Sequence, residues 1–210
     1  MRRPARRPGQ WRDHYTDKAK KNRYPARSVY KLKEIQSRYR LFRKGDRILD
    51  LGCYPGSWLL YAAELVGAKG RVLGIDLNPV AVKLPPQAEA MTGDILEMGG
   101  DFTNLGDRRF TGVISDMAPA TTGIKHVDSA RSHLLCETAL YTAQAVLSSG
   151  GFFVCKIFQG SDFSDFTKSV RGSFKKHSIF KPKSSRKASK EIYIIGMDRI
   201  GSDTNTFSAL

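Results

Sequence analysis

The stretch RILDLGCYPGSWLLYAAELVG, residues 47–67, decides the fold. RILDL has the length and apolar content of a buried strand. It breaks at a turn carrying Gly52, Pro55 and Gly56. SWLLYAAELV then has the composition of a helix and stops at Gly67. RVLGID, residues 71–76, supplies a second strand. Strand, glycine turn, helix and strand make a βαβ unit, whose strands lie parallel.

The same alternation continues on both sides. Upstream, Val29, Leu32, Ile35 and Tyr39 fall at helical spacing within residues 26–42, with Ser28 or an earlier residue as the cap. Downstream, a weak third strand is expected at 88–91 and a fourth at 110–116. A long helix follows over roughly 129–149, stopped by Gly150 and Gly151. Then come the strand FFVCKIF (152–158), a helix around 162–176, a strand near 177–181 and the strand EIYIIGM (191–197). This pattern predicts an α/β fold with a mostly parallel, doubly wound sheet. The last two strands are joined only by residues 182–190. A parallel crossover needs a dozen or more residues, so the last strand must run antiparallel. One domain is expected over 26–200, preceded by a flexible basic arm (1–25) and followed by a polar tail (201–210).

Composition narrows the class. No run of about 18 apolar residues occurs, so no transmembrane helix is expected. The start, MRRPARRPGQW, lacks the apolar core of a secretory signal. Cys53, Cys136 and Cys155 show no CxxC spacing, and the four histidines show no metal-ligand spacing. A metal-free protein of the reducing cytoplasm, acting as a monomer, is expected.

The net charge of +15 is unevenly placed. Residues 1–47 hold 17 Lys and Arg against four Asp and Glu, and residues 168–190 hold nine against none. The remaining 140 residues are net acidic. Two basic segments on an acidic body are the footprint of a polyanionic partner. Trp11, Tyr15, Tyr24 and Tyr30 interleave with the first segment, as a base-stacking surface would require. The bland alternative is a pair of solubilising segments.

Ligands of such folds bind at the carboxyl ends of the strands. There the chain places the turn after residue 51, then Asp76, then Asp94 in TGD. The glycine spacing does not match GxGxxG, which disfavours a dinucleotide, and no Walker lysine is present to hold a triphosphate. Asp76 suits two ribose hydroxyls, and Asp94 suits an adenine amino group. Each alone has an ordinary reading, a cap or a turn residue. Together they favour an adenosyl ligand, of which S-adenosylmethionine is the natural candidate. Asp116 ends the fourth strand in SDMAP, Lys156 lies near the end of the next in VCKIF, and Glu191 begins the antiparallel strand. These three can converge over the ligand, with Lys31 as a fourth member. A buried lysine must be paired. It can serve as base or as cation, and the residues alone leave that choice open.

The motifs RSVYKLKEIQ, DLGCYPGSW, TGD, SDMAP, GGFFVCKIFQG and SSRKASKEIYIIG occur in this order. On them, nearly the full chain resembles the FtsJ-type (RlmE-type) ribosomal RNA 2′-O-methyltransferases. The resemblance implies a Rossmann-like methyltransferase fold and S-adenosylmethionine as cofactor. It implies methylation of a uridine ribose in the A loop of 23S rRNA, with ribosomal RNA or the large subunit as partner. It also implies a catalytic tetrad of Lys31, Asp116, Lys156 and Glu191, and cofactor contacts at Gly56, Trp58, Asp76, Asp94 and Asp116. Two departures stand out. Cys53, Tyr54 and Ser57 replace smaller residues of the family loop, and Ala120 replaces the asparagine of DMAPN. A tRNA 2′-O-methyltransferase of the same superfamily, or an RNA-binding module without catalysis, are the alternative readings.

Overall fold

A computed structural model describes residues 14–98, 109–119, 122–160, 162–186 and 189–201. The elements run α1 (His14–Lys21), α2 (Val29–Tyr39), β1 (Arg47–Leu51), α3 (Ser57–Val66), β2 (Arg71–Asp76), β3 (Ala88–Thr92), β4 (Phe110–Ser115), α4 (Lys125–Val146), β5 (Leu147–Phe158), α5 (Phe163–Ser173), β6 (Phe174–Phe180) and β7 (Glu191–Arg199). The strands form one sheet in the order β3-β2-β1-β4-β5-β7-β6. The first five in that order pair in parallel, while β7 is antiparallel to both β5 and β6. The doubly wound sheet and the antiparallel last strand are therefore as expected.

Each central strand is buried on both faces. Leu49, Leu51, Phe153, Cys155 and Ile157 pack against α4 and α5. Ile48, Phe152, Val154, Tyr193 and Ile195 pack against α2 and α3. Strand side chains alternate with period two. Lys156, with the parity of Phe152 and Val154, therefore faces the α2–α3 layer, as does Glu191 with the parity of Tyr193. That parity brings two strand residues to the side from which α2 presents Lys31.

Three expectations need correction. Residues 14–25 lie in the segment expected as a flexible arm, yet α1 forms there. Ala19 and Tyr24 are buried against Val29 and Tyr30, and the Tyr24 hydroxyl donates to both carboxylate oxygens of Glu64 at 2.8 Å. The charge of the segment hid a small apolar face. Residues 1–13 and 202–210 lie outside the described residues. Second, α4 begins at Lys125 and ends at Val146, not at the glycine pair. Leu147 is already extended, and Gly150, at φ +76°, lies within β5. Any Cβ at Gly151 would come within 2.9 Å of the Ser148 carbonyl oxygen. The pair thus serves a bulge, where register shifts between Phe110 and Gly112 of β4. Third, β6 starts at Phe174, because burial of that ring on Phe153 ends α5 sooner.

Candidate active site

Four elements deliver charged side chains to one point at the carboxyl end of the sheet. Asp116 directly follows β4. Lys156 comes from β5, whose register pairs Phe158 with Glu191 at the start of β7. Lys31 comes from the first half of α2. Lys156 Nζ lies 2.9 Å from Asp116 Oδ1 and also donates to the Asp116 main-chain carbonyl. Lys31 Nζ lies 2.8 Å from Glu191 Oε2 and 3.9 Å from Asp116 Oδ1. Two cations thus alternate with two carboxylates, and Lys156 is 7% exposed, so the buried charge is paired.

Tyr193 completes the cluster. Its hydroxyl donates to Asp116 Oδ1 at 2.7 Å. Burial alone would raise the Asp116 carboxyl. The charges of Lys156 and Lys31 and the hydrogen bonds from Tyr193 and Lys156 outweigh it, holding Asp116 below the usual carboxylate range. Burial, followed by the Asp116 charge and hydrogen bond, pushes the Tyr193 phenol well up.

Beside this cluster lies a cleft of about 350 Å³, lined among others by Gly52, Tyr54, Asp76, Asp94, Asp116 and Met117. Ile75, Ile95 and Leu135 give it apolar walls. The loop after β1 can run here only because residue 52 is glycine. Gly52 has φ +77°, and a Cβ there would sit 2.5 Å from Met117 Cγ. Asp76 accepts the Tyr54 N–H at 2.9 Å on Oδ2 and the Asn78 N–H at 2.8 Å on Oδ1. Asp94 Oδ1 accepts the Leu96 N–H at 2.8 Å. A carboxylate has about four acceptor positions, so both keep capacity for a ligand.

Three comparisons with known proteins bear on this arrangement. The family model of the FtsJ-like methyltransferases matches residues 24–199. A ribosomal RNA large subunit methyltransferase E from Desulforapulum autotrophicum is 58% identical over 90% of this chain and 94% of its own length. One from Desulfatibacillum aliphaticivorans is 54% identical over 91% and 92%. Among solved structures, a Plasmodium falciparum protein described as a ribosomal RNA methyltransferase superposes with TM-score 0.75 at 27% identity, over 85% of this chain and 100% of its own. Fibrillarin from Aeropyrum pernix, solved with bound S-adenosyl-L-methionine, shares the fold with TM-score 0.58 at 17% identity, over 81% of this chain and 76% of its own.

The chain belongs to the FtsJ-like methyltransferase family.

As an FtsJ-like methyltransferase it takes S-adenosyl-L-methionine as cofactor, and the cleft fits that molecule. Carboxylates with spare acceptor positions face apolar walls, and the loop passes where a Cβ would block it. Of the predicted cofactor residues, Asp76, Asp94 and Asp116 line the cleft, whereas Gly56 and Trp58 do not. Gly56 caps α3 at φ +105° beneath Val80 and Val82. The Trp58 ring is buried on Tyr193, and its Nε1 donates to the Ser28 carbonyl oxygen at 2.9 Å. It thereby ties the start of α2, and so Lys31, to the sheet. Ala120 lies outside the described residues. Tyr54 is 54% exposed at the cleft mouth, so its bulk is carried in solvent.

The base-stacking reading of the tyrosines does not hold for Tyr24 and Tyr30. Both are buried, with Lys33 Nζ 4.4 Å from the Tyr24 ring centroid and Lys18 Nζ 5.0 Å from that of Tyr30. Their interleaving with lysines is internal cation–π packing. Trp11 lies outside the described residues. The sequence reading also missed two residues. Tyr193 stands two places after Glu191 in an otherwise aliphatic run, and that single hydroxyl was the available signal. Asp50 was visible in DLG, but nothing local shows that both its oxygens are buried without a hydrogen-bond partner among the described residues. Burial, then the charges of Asp116 and Asp76, pushes its carboxyl well up.

Proposed function

We propose that this methyltransferase acts on a ribose 2′-hydroxyl of 23S ribosomal RNA, at a uridine in the A loop of the peptidyl transferase centre. The observation that carries the chemistry is the convergence of Lys31, Asp116, Lys156 and Glu191 beside a cleft suited to an adenosyl group. The RNA class rests on the curated relatives, which are large-subunit ribosomal RNA methyltransferases by name. The same reading makes the protein a cytoplasmic monomer.

S-Adenosylmethionine, when bound, supplies a methyl group already activated by its sulfonium. In this reading Asp76 holds the ribose hydroxyls of the cofactor and Asp94 its adenine amino group. Gly56 and Trp58, which do not line the cleft, act indirectly in this reading: Gly56 shapes the turn into α3, and Trp58 holds the start of α2. Asp116 borders both the cleft and the tetrad.

The chain's task is then to prepare a very weakly acidic hydroxyl. Lys156 is the central group. Two of its positions are directed to the Asp116 carboxylate and carbonyl, and the third serves the acceptor ribose. As an ammonium it stabilises the developing alkoxide; as a free amine it removes the proton. Lys31, held by Glu191, lies 3.9 Å from the same Asp116 oxygen that Lys156 meets, which helps keep the carboxylate charged and the amine fixed while charge develops. Such fixed positioning is itself a large part of the rate.

The test is to map methylated riboses after reaction of the purified protein with unmodified large subunits, free 23S rRNA and bulk tRNA. A single 2′-O-methyluridine in the A loop is expected. Methylation of tRNA alone, or of a base nitrogen, would overturn the proposal.

A further inference from the structure

At the carboxyl ends of the strands, the cleft beside the tetrad is acidic. The cleft there is lined by Asp76, Asp94 and Asp116 and by no Lys or Arg among the described residues. The opposite edge has the reverse character. Three clefts of about 530, 440 and 310 Å³ open along it. Among the described residues, eight Lys and Arg line them, against Asp46, Glu89 and Asp198. Asp198 already pairs with Lys176 at 3.1 Å, and Asp46 accepts the Arg43 main-chain N–H at 2.6 Å.

These cations form a line because of the sheet order. Arg71 begins β2 and lies in register with Arg47, which begins β1. Arg47 exchanges main-chain hydrogen bonds of 3.0 and 3.1 Å with the Thr111 hydroxyl. That contact sets Arg109, just before β4, next along the edge. Arg199 ends the antiparallel β7, and Lys176 lies near the start of β6. The second and third clefts share Ser148 and Ser149, so they adjoin. From β2 to β6 there are five strand spacings of about 4.8 Å each, or roughly 24 Å. Arg47, Lys69, Arg71 and Arg109 are exposed. Neither Arg71, Lys69, Arg109 nor Arg199 belongs to the two basic segments of the sequence. The fold collects them beside Arg40 and Arg43.

We infer that this edge is a second RNA-contact surface, binding phosphates of a helical segment remote from the methylated nucleotide. The inference rests on the RNA-substrate reading above. The two edges are separated by the five residues of β1, about 17 Å at 3.3 Å per residue. A nucleotide seated at the tetrad cannot reach the basic edge, whereas a folded RNA can span both. Arginines spaced along a line suit phosphate contact, which positions a substrate without reading its sequence.

The experiment compares a short hairpin carrying the acceptor with a long 23S fragment, using the variant Arg47→Gln/Arg71→Gln/Arg109→Gln. Arg71 also donates to the Ala68 and Gly70 carbonyls. Lys69→Gln/Arg109→Gln therefore serves as a second variant, and a triple Lys replacement as the charge-keeping control. For the long RNA the triple Gln variant is expected to raise KM and Kd about tenfold or more at 150 mM salt. It should also flatten the log–log salt slope by up to about 0.9 per lost phosphate contact. The Lys control should retain the slope, and hairpin KM and cofactor affinity should stay at the parental values. Unchanged long-RNA binding, or equal loss on the hairpin, would overturn the inference. Loss confined to assembled subunits, with free rRNA bound normally, would assign the edge to a ribosomal protein instead and equally overturn it. Kd for the long RNA is read without catalysis, so a failure to methylate rRNA would refute the proposed activity and leave this reading separately decided.

Discussion

At the scale of single residues, the tetrad makes Lys156 the group whose loss should matter most. Lys156→Ala is expected to lower kcat by about 10²- to 10⁴-fold, the range of a positioned acid–base or charge-stabilising group. Cofactor and RNA affinity should remain near parental, which single-turnover kinetics with binding titrations would check. Near-normal methylation would remove Lys156 from the centre of the mechanism. Lys156→Arg separates its two roles, since a guanidinium keeps the charge but does not give up a proton in proteins. Substantial residual activity would identify a cation, and collapse to the Ala level a base. Asp50 makes a different prediction. Its folded pKa is raised, chiefly by burial. Stability is then fully present below the unfolded carboxylate pKa and is lost as pH rises toward the folded value. Asp50→Asn removes that loss. The cofactor-free variant should gain in Tm over the parent, and gain more at pH 8 than at pH 5. Thermal melts at the two pH values would show it, and an equal gain at both would contradict the assignment.

At the scale of elements, the site depends on how tightly β4 and β5 pair, because Asp116 and Lys156 sit at their ends. Gly112 is a tight point of that pairing. A Cβ there would lie 2.3 Å from the Phe152 ring, which itself packs on Phe42 at 5.0 Å between centroids. Gly112→Ala must push the ring aside, an overpacking that costs about 1–3 kcal/mol. In a chain of this size that lowers Tm by several degrees, readable by calorimetry. A neutral change would mean that Phe152 has room to move. The turn between β6 and β7 is fixed differently. Glu34 of α2 accepts the main-chain N–H groups of Lys183 and Ser184 at 2.7 and 2.8 Å, and Arg27 donates to the Ser184 carbonyl. The helix that carries Lys31 thereby also holds a basic turn near the start of β7, where Glu191 lies.

At the scale of the whole molecule, the fold adds Lys69, Arg71, Arg109 and Arg199 to the cations of the two basic segments, along the edge opposite the site. RNA binding by the parent protein should therefore weaken steeply with salt. A linear fall of log K against log salt is expected, because each neutralised phosphate releases counterions. Filter binding between 50 and 200 mM salt would measure it, and a flat response would return the basic residues to a solubilising role. No helix among the described residues is long and apolar enough to cross a membrane.

The sequence by itself determined the order of elements from α2 onward, the parallel body and the reversed last strand. Apolar periodicity and loop length are local quantities, and each survives in a single chain. It also exposed Asp116, Lys156 and Glu191, because strand ends in this topology share one edge and a lysine in FFVCKIF is out of place without a partner. The order of Gly150 and Gly151 after a helical pattern misled, since a glycine pair suits a helix stop and a bulge alike, and only pairing with β4 chose between them. Tertiary structure alone decided that Tyr24 and Tyr30 are buried beneath lysines, that Trp58 braces α2 instead of lining the cleft, and that Asp50 has no hydrogen-bond partner among the described residues. It alone lined Arg47, Arg71 and Arg109 along one edge. Each of these depends on residues far apart in the chain, and burial and electrostatic context exist only once the sheet has brought them together.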